Sequence, residues 1–418
     1  MEEVLTAGEG PEPGRRGLRL LGDRQFGPYL LGKLVSLTGL WGHNLLCAVL
    51  IYEETGSVAF VGLVSLAQFG PQVVLAGWSG ALADRHDRLA QLVVGRLLSV
   101  SASGALGLWY LLGLDGPGTT VAILASSLLM GAGLVVGGPA MMALVPALVR
   151  PHEVAAAVQL DSVPMLLGRA LGPAIGAVML VGSSVPTAFF TAAAGNAIFV
   201  VVLLAIRHGV ARRAVADSGD HSMWGGLAYV RRAPRLALLL AAVAAAAVGA
   251  DPSITLAPAL AELDGGGRGA AGLFTSSFGV GAAVGAVGAG VLARSMGAPR
   301  TVTVGLAVMA TSTAALALPM GTKGAVVAFA LAGVGMSQAF IGSTTLLQVA
   351  VPDQLRGRVM SLWLICFVGV RPIAALTNGA LADMFSVHAA LVSVGALLAL
   401  TAMACSPSRL TFVPEDSE

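Results

Sequence analysis

Asp251, Arg169 and Arg371 each stand inside a run of about 20 apolar residues, and the chemistry open to such groups is narrow. A carboxylate in apolar surroundings can take up and release a proton, which makes Asp251 a candidate proton carrier. The guanidinium groups of Arg169 and Arg371 can serve as its counter-ions or as contacts for an anion. Asp161 lies about two turns before Arg169 and offers a second carboxylate. His43 and Asn44 in one run and Gln338 in another complete the set of polar candidates. A histidine can titrate near neutral pH, although a buried imidazole that merely bonds a backbone carbonyl is an equal alternative. Fixed pairs such as Asp161 with Arg169, or an arginine reaching out to water, are the structural alternatives for the charges.

The runs that hold these residues define the class of protein. The chain has 418 residues, of which 56% are hydrophobic and 11% charged, with a mean hydropathy of +0.84. Soluble domains carry about 25% charged residues, so a soluble enzyme is excluded. Disorder needs low hydrophobicity and high charge and is excluded too. Continuous apolar runs exclude a membrane β-barrel, whose strands alternate polar and apolar residues. Twelve runs are long enough to span a bilayer, at roughly 30–51, 58–82, 89–113, 119–145, 158–182, 187–206, 236–260, 270–293, 301–319, 324–350, 359–382 and 387–405. Charge intrudes into them at a cost of at least about 2.5–3.5 kcal/mol per group at a helix centre, which marks the intramembrane residues as functional candidates.

One long polar connection, 207–235, splits the spans six and six. The expected organisation is a tail at 1–29, a six-helix bundle at 30–206, the linker, a second bundle at 236–405, and a tail at 406–418. With both termini cytoplasmic, eighteen arginines fall on the cytoplasmic side, and only Arg268 and Lys323 fall outside. That asymmetry sets the orientation. Lys33, Arg96, Arg169 and Arg371 are left within or at the edge of spans. Val145-Pro146 before span 5 is matched by Val351-Pro352 before span 11, and each of these spans then has an arginine near its middle. Spans 5 and 11 are equivalent if the second six helices repeat the first six. Cys47, Cys366 and Cys405 lie in apolar runs with neither disulfide nor metal spacing and read as small hydrophobes.

The loop between spans 2 and 3 reads Gly80-Ala81-Leu82-Ala83-Asp84-Arg85-His86-Asp87-Arg88. Opposite charges at a helix end can latch one conformation and release in another, or simply form a basic cytoplasmic loop. Gly80, Asp84, Arg85 and Arg88 match the signature loop of the major facilitator superfamily, which this segment resembles; Asp87 replaces its second glycine. The Asp-Arg-x-Asp-Arg form is similar to the branch of enterobactin-type siderophore exporters and macrolide-efflux-like pumps. Gly168-Arg169-Ala170-Leu171-Gly172-Pro173-Ala174-Ile175-Gly176 resembles the antiporter motif of the same superfamily, with Ala177 at its usual last glycine. Small residues there permit tight packing, and Pro173 removes one backbone hydrogen bond.

The resemblance implies an all-α membrane protein with twelve transmembrane helices in two six-helix pseudo-repeats, the major facilitator fold. It implies spans 1, 4, 7 and 10 around a central cavity, with Asp251 on a lining helix and Arg169 and Arg371 on flanking ones. The expected function is export of a small, partly apolar organic compound (drug, siderophore or secondary metabolite) across a bacterial cytoplasmic membrane. Proton antiport with alternating access is expected to drive it. A lysophospholipid-flippase type of transporter and an uptake symporter of the same fold are the alternatives. Span 1 has no carboxylate. Trp41, Phe69, Trp78 and Trp109 could line a pocket for an apolar ligand, with interfacial anchoring or lipid contact as the default reading. No ATP-binding string, metal-ligand cluster or catalytic triad occurs, so no cofactor, metal or enzymatic activity is expected. The expected partners are a small-molecule substrate, protons and the bilayer, with no nucleic acid and a monomeric chain.

Overall fold

The computed structural model describes residues 19–75, 87–206 and 229–411. Gly80, Asp84, Arg85, Trp78 and most of the linker lie outside them. Within them the chain is helical: α1 Phe26–Thr55, α2 Val58–Val74, α3 Arg88–Leu111, α4 Thr119–Leu148, α5 Val163–Gly182, α6 Val185–Ile206, α7 Pro234–Ala250, α8 Gly267–Met296, α9 Ala298–Ala315, α10 Gly321–Ala350, α11 Val370–Met384 and α12 Val387–Ala404. Ten helical runs are long and apolar enough to cross a membrane. The other two are α2, described as far as Leu75, and α9, diluted by hydroxyl residues such as Thr303, Thr311 and Ser312. Those hydroxyls bond carbonyls three or four residues back, so they cost the helix no unpaired group. A bilayer leaves the backbone no other donor or acceptor, which is why apolar sequence folds here as helix.

Local chemistry sets the ends. Gly56 closes α1 in a left-handed conformation (φ 62°), and Ser57 then caps α2 through the Phe60 amide. Asp87, the signature-loop acid inside the described residues, caps α3 by accepting from the Leu89 and Ala90 amides. Arg88 begins that helix and donates to the Ala143 carbonyl on α4 at 3.3 Å. Several helices run past the apolar stretch that marks them: α1 extends the expected 30–51 to Phe26–Thr55, and α8 extends 270–293 to Gly267–Met296. Helix continues through the headgroup layer, where apolarity ends but hydrogen bonding does not.

Three spans are broken. The expected 158–182 is Val154–Asp161 followed by α5, because Pro164 withholds an amide at the junction. Span 7 breaks at Asp251, before Pro252, and resumes as Pro252–Thr255 and Ala257–Leu263. Span 11 is Asp353–Leu364, a π-helical turn Ile365–Gly369, and α11. Pro173, by contrast, sits inside an unbroken α5.

In the first six helices α1 packs on α5 and α6, and α3 on α4 and α6; in the second, α8 and α9 pack on α10, and α12 on α9. Two seams join the sets, α2 with α11 and α5 with α8, and both are made by small residues. A Cβ at Gly62 of α2 would sit 2.6 Å from the Ala375 carbonyl of α11, and one at Gly279 of α8 would sit 2.6 Å from the Arg169 carbonyl of α5. Close helix approach of this kind replaces the missing hydrophobic drive in lipid. Large apolar side chains such as Val121, Val201, Val287 and Leu400 point outward, as lipid-facing groups do.

The bundle is closed unequally along its length. At the distal end, where α1 finishes and α2 begins, one core joins both sets of helices: Leu45 to Ile51 and Phe189 pack with Leu256, Leu260 and Phe274. At the terminal end, where α1 starts, the first six helices keep a core of their own (Phe26, Tyr29, Leu92, Leu144, Phe199) that holds no residue of the second six. The glycine contacts between helices, in the seams and within each set, should be intolerant of added volume. Gly281→Val, whose Cβ would meet the Ala330 carbonyl on α10, should cost about 1–3 kcal/mol and lower the melting temperature of the purified protein. Gly104→Ala, which meets nothing within 4 Å inside α3, should leave it unchanged or raise it slightly.

Candidate functional site: a midplane cluster between the helix sets

Trp41, one of the side chains read as lipid-facing, is buried instead. Its indole lies between the two intramembrane arginines, 5.2 Å from the guanidinium carbon of Arg169 and 5.8 Å from that of Arg371. Arg169 of α5 also lies 4.6 Å from the ring of Phe278 on α8, and Arg371 of α11 lies 4.5 Å from Phe69 on α2. Each arginine therefore rests on an aromatic ring of the opposite helix set. Phe69 and Phe278 both stand eleven residues past the first residue of their helices, so the two contacts are related by the internal repeat. A desolvated guanidinium on an aromatic face gains about 2 kcal/mol, which offsets part of the cost of its position. Nη2 of Arg169 is buried with no hydrogen-bond partner among the described residues.

Asp251 is 5% exposed at the break in span 7. Its Oδ1 accepts from the Thr255 hydroxyl at 2.9 Å, and its Oδ2 accepts from the Asn378 amide on α11 at 2.7 Å. Arg371 faces it electrostatically without a direct hydrogen bond. Sequence reasoning missed Asn378. The signal was present, since the chain has only three asparagines, Asn44, Asn196 and Asn378, all inside apolar runs. The reading of Trp41 and Phe69 as lipid-facing failed because ring type alone does not reveal a cation across a helix seam. Trp109, half-buried, donates to Thr119 near the distal end.

The remaining candidates divide. Asn44 borders a small gap with Trp41, Leu45, Ala48, Ile254 and Thr275, and its Oδ1 has no partner among the described residues. His43 is fully buried between Ser103 (3.1 Å) and Cys47 (3.3 Å), edge-on to Phe189, within the first six helices. Its partners are a hydroxyl and a thiol rather than the backbone carbonyl of the structural alternative. Gln338 donates to the Gly285 carbonyl at 2.8 Å and ties α10 to α8. Asp161 does not pair with Arg169. It pairs with Lys33, whose Nζ lies 2.6 Å from Oδ1 and 3.1 Å from the Asp161 carbonyl. The reason is local: the helix break before Pro164 exposes that carbonyl, and the lysine of α1 serves both groups. Arg96 is buried nearby and donates to Ser36, which donates in turn to Asn196. Gly168, Gly172 and Gly176 pack α5 against Leu37, Thr38, Trp41 and Gly42 of α1, inside one helix set. The face of α5 that meets α8 is made instead by Arg169, Ala170, the Pro173 carbonyl and Ala177. A separate open pocket at the terminal end, lined by Arg24, Gln25, Pro28, Val202, Ala205 and Ile206, lies away from the cluster.

Two polar contacts close the distal end over the cluster. Arg268 of α8 grips Glu53 of α1 with both oxygens engaged, at 2.6 and 2.7 Å. Asp383 of α11 accepts from the Val58 and Ala59 amides at 2.8 and 3.1 Å and from the Ser57 hydroxyl, so one helix set caps a helix of the other. The exposed ion pair contributes little, about 0–1 kcal/mol. The cap satisfies amides at a positive helix end and contributes about 0.5–2 kcal/mol. Asp383→Ala should therefore speed modification of an Ala48→Cys thiol by an impermeant reagent supplied at the distal side by about 2- to 30-fold. Glu53→Gln should do so by less than about fivefold.

A twelve-helix bundle with two repeat-related sets and charges buried at their midplane junction is the architecture of a major facilitator transporter. The chain belongs to the transmembrane secretion effector family of that superfamily, whose profile matches residues 21–418. It is 27% identical to the enterobactin exporter EntS of Shigella flexneri over 368 residues, 86% of each chain. It is 26% identical to the enterobactin exporter EntS of Salmonella choleraesuis (strain SC-B67) over 384 residues, 90% of this chain and 91% of that one. A bacterial homolog of the human lysosomal transporter Spinster, in an inward-facing and unoccupied conformation, superposes with a TM-score of 0.74 at 15% identity, over 97% of this chain and all of that one. A bacterial homologue of the iron transporter ferroportin, inward-facing, superposes with a TM-score of 0.69 at 18% identity, over 93% and 98%. These are transporters, not enzymes.

Proposed function

We propose that this protein is a proton-driven antiporter that exports a siderophore-like, partly apolar organic compound from a bacterial cytoplasm by alternating access. The reading rests on one observation above the rest. The acid Asp251, held at the junction of two helix sets closed at one end, is where a proton bound from either side would change what the sets hold between them. The likeness to enterobactin exporters over most of the chain supports the direction and the compound class.

In this scheme the bundles 30–206 and 236–405 rock about the seams α2–α11 and α5–α8, with the linker 207–235 between them. The terminal end faces the cytoplasm, as the arginine bias implies, so the structure is an inward-facing state of an inner-membrane protein. Compound enters from the cytoplasm while Asp251 is ionised. The bundles rock, the compound leaves outside, and a proton taken up there on Asp251 returns the protein inward. Arg371 is the counter-charge to the ionised acid. The signature-loop charges Asp84, Arg85 and Arg88 would hold the outward-facing state that the distal contacts oppose. The working unit is a monomer.

Proteoliposomes with an imposed pH gradient and a panel of enterobactin, lipophilic cations and a labelled lysophospholipid test the scheme. Gradient-driven movement of enterobactin by the wild type, reduced at least tenfold in Asp251→Asn, is the expected result. Movement that ignores both the gradient and the substitution sinks antiport. Movement of the lysophospholipid alone gives the protein a lipid substrate.

A further inference from the structure

Asn378 has no place in the proposed cycle, yet it is 2% exposed and, among the described residues, makes the one hydrogen bond between Asp251 and another transmembrane helix. Three contacts converge on its helix. Asn378 reaches Asp251 on span 7, Arg371 lies on Phe69 of α2, and Asp383 caps the first amides of α2. One rigid helix thus touches the acid at its middle and the opposite bundle at two levels. Gly62 and Gly379 hold the α2–α11 seam at backbone contact, so a shift of α11 cannot be absorbed by side chains there.

The internal repeat sharpens the point. Asn378 stands seven residues after Arg371, and the residue seven after Arg169 is Gly176. Gly176 meets α1 through backbone, where a Cβ would lie 3.4 Å from the Gly42 carbonyl. At equivalent places, then, α5 has a bare helix contact and α11 has an amide on a carboxylate. Only the second can respond to a proton. An ionised Asp251 accepts from the Asn378 N–H and the Thr255 O–H. Protonation gives Asp251 one O–H: on Oδ2 it requires Asn378 to present its carbonyl oxygen instead, and on Oδ1 it leaves Asn378 a neutral, weaker acceptor. Arg371 of α11 is the charged group facing Asp251. The other helices packed on this stretch (α1, α2, α8, α9, α10 and α12) add no further charge to it among the described residues.

We propose that Asn378 is a positioning residue that transmits the protonation state of Asp251 to α11, and through Arg371 and Asp383 to the closure of the distal end. The inference rests on Asp251 as the proton site, but not on export or on any particular substrate.

The test uses the full chain in lipid nanodiscs without substrate. The native cysteines are replaced by alanine, and spin labels are placed at the exposed Leu114 and Met384, one on each helix set at the distal end. The distance distribution between the labels is recorded across pH. In the wild type it should shift along a single titration. Asp251→Asn should abolish the shift, and Asn378→Leu should reduce its amplitude at least threefold. A wild-type amplitude and midpoint in Asn378→Leu would overturn the proposal, as would a wild-type distribution that does not move with pH. If Asn378→Leu fails to fold, infrared difference spectra of wild type carrying isotope-labelled asparagine answer the same question. An asparagine amide band must change in step with the carboxyl band of Asp251; an amide spectrum blind to that titration refutes the coupling. A pH-dependent shift in a protein that exports nothing would leave this inference standing and remove the export reading.

Discussion

A charge inside a bilayer must be given a partner by the protein, because the solvent there offers none. Much of this structure follows from how that demand is met. Lys33 and Asp161 meet it as a pair, and the pair also satisfies a carbonyl exposed where the helix breaks. Asp251 meets it with two hydrogen-bond donors and a guanidinium at longer range. Arg169 and Arg371 meet it on aromatic rings, and the rings belong to the other helix set. The first two solutions are each made within one bundle. The arginines' contacts span the junction, so those two charges keep their aromatic partners only while the sets are correctly apposed.

That difference separates structural charges from those suited to transport. The Lys33–Asp161 pair and the Arg96–Ser36–Asn196 chain brace the first six helices from within. The midplane cluster instead uses contacts that can be exchanged at small cost. A guanidinium can slide across a ring, and an amide can donate or accept. The glycine seams beside them hold the helices at backbone distance, so modest rearrangements in the cluster become rigid displacements of whole helices. The two bundles are alike in helix order and in their arginines, and unlike in where the acid sits. Among the described residues, Asp251 is the carboxylate that faces an intramembrane arginine, and only the second bundle has one there.

Much of this was legible from residue types. Apolar runs and their breaks located the spans, since length and hydropathy are local properties. Arg169, Arg371 and Asp251 stood out because charge in such runs is expensive. What could not be read was partnership. Asp161 lies two turns from Arg169 along the chain, yet its partner is Lys33, which a helix break places beside it in space. Trp41 and Phe69 look like lipid-facing aromatics until α5, α8 and α11 are set around them. The antiporter-motif glycines announced close packing but not its direction, which is toward α1. Asn378 was legible as one of three rare amides, but its bond to Asp251 depends on a helix 127 residues away.

In the proposed cycle, proton and compound exchange at one buried carboxylate, Asp251. The most direct measurement is the proton balance when compound binds to purified protein in weakly buffered solution, using the siderophore best retained in vesicle export. Binding should release protons, approaching one per molecule bound, at a pH where Asp251 starts protonated, and Asp251→Asn should release none. Proton uptake on binding would mean that compound and proton travel together and would contradict antiport. Binding with no proton change in the wild type would show that Asp251 is not the shared site.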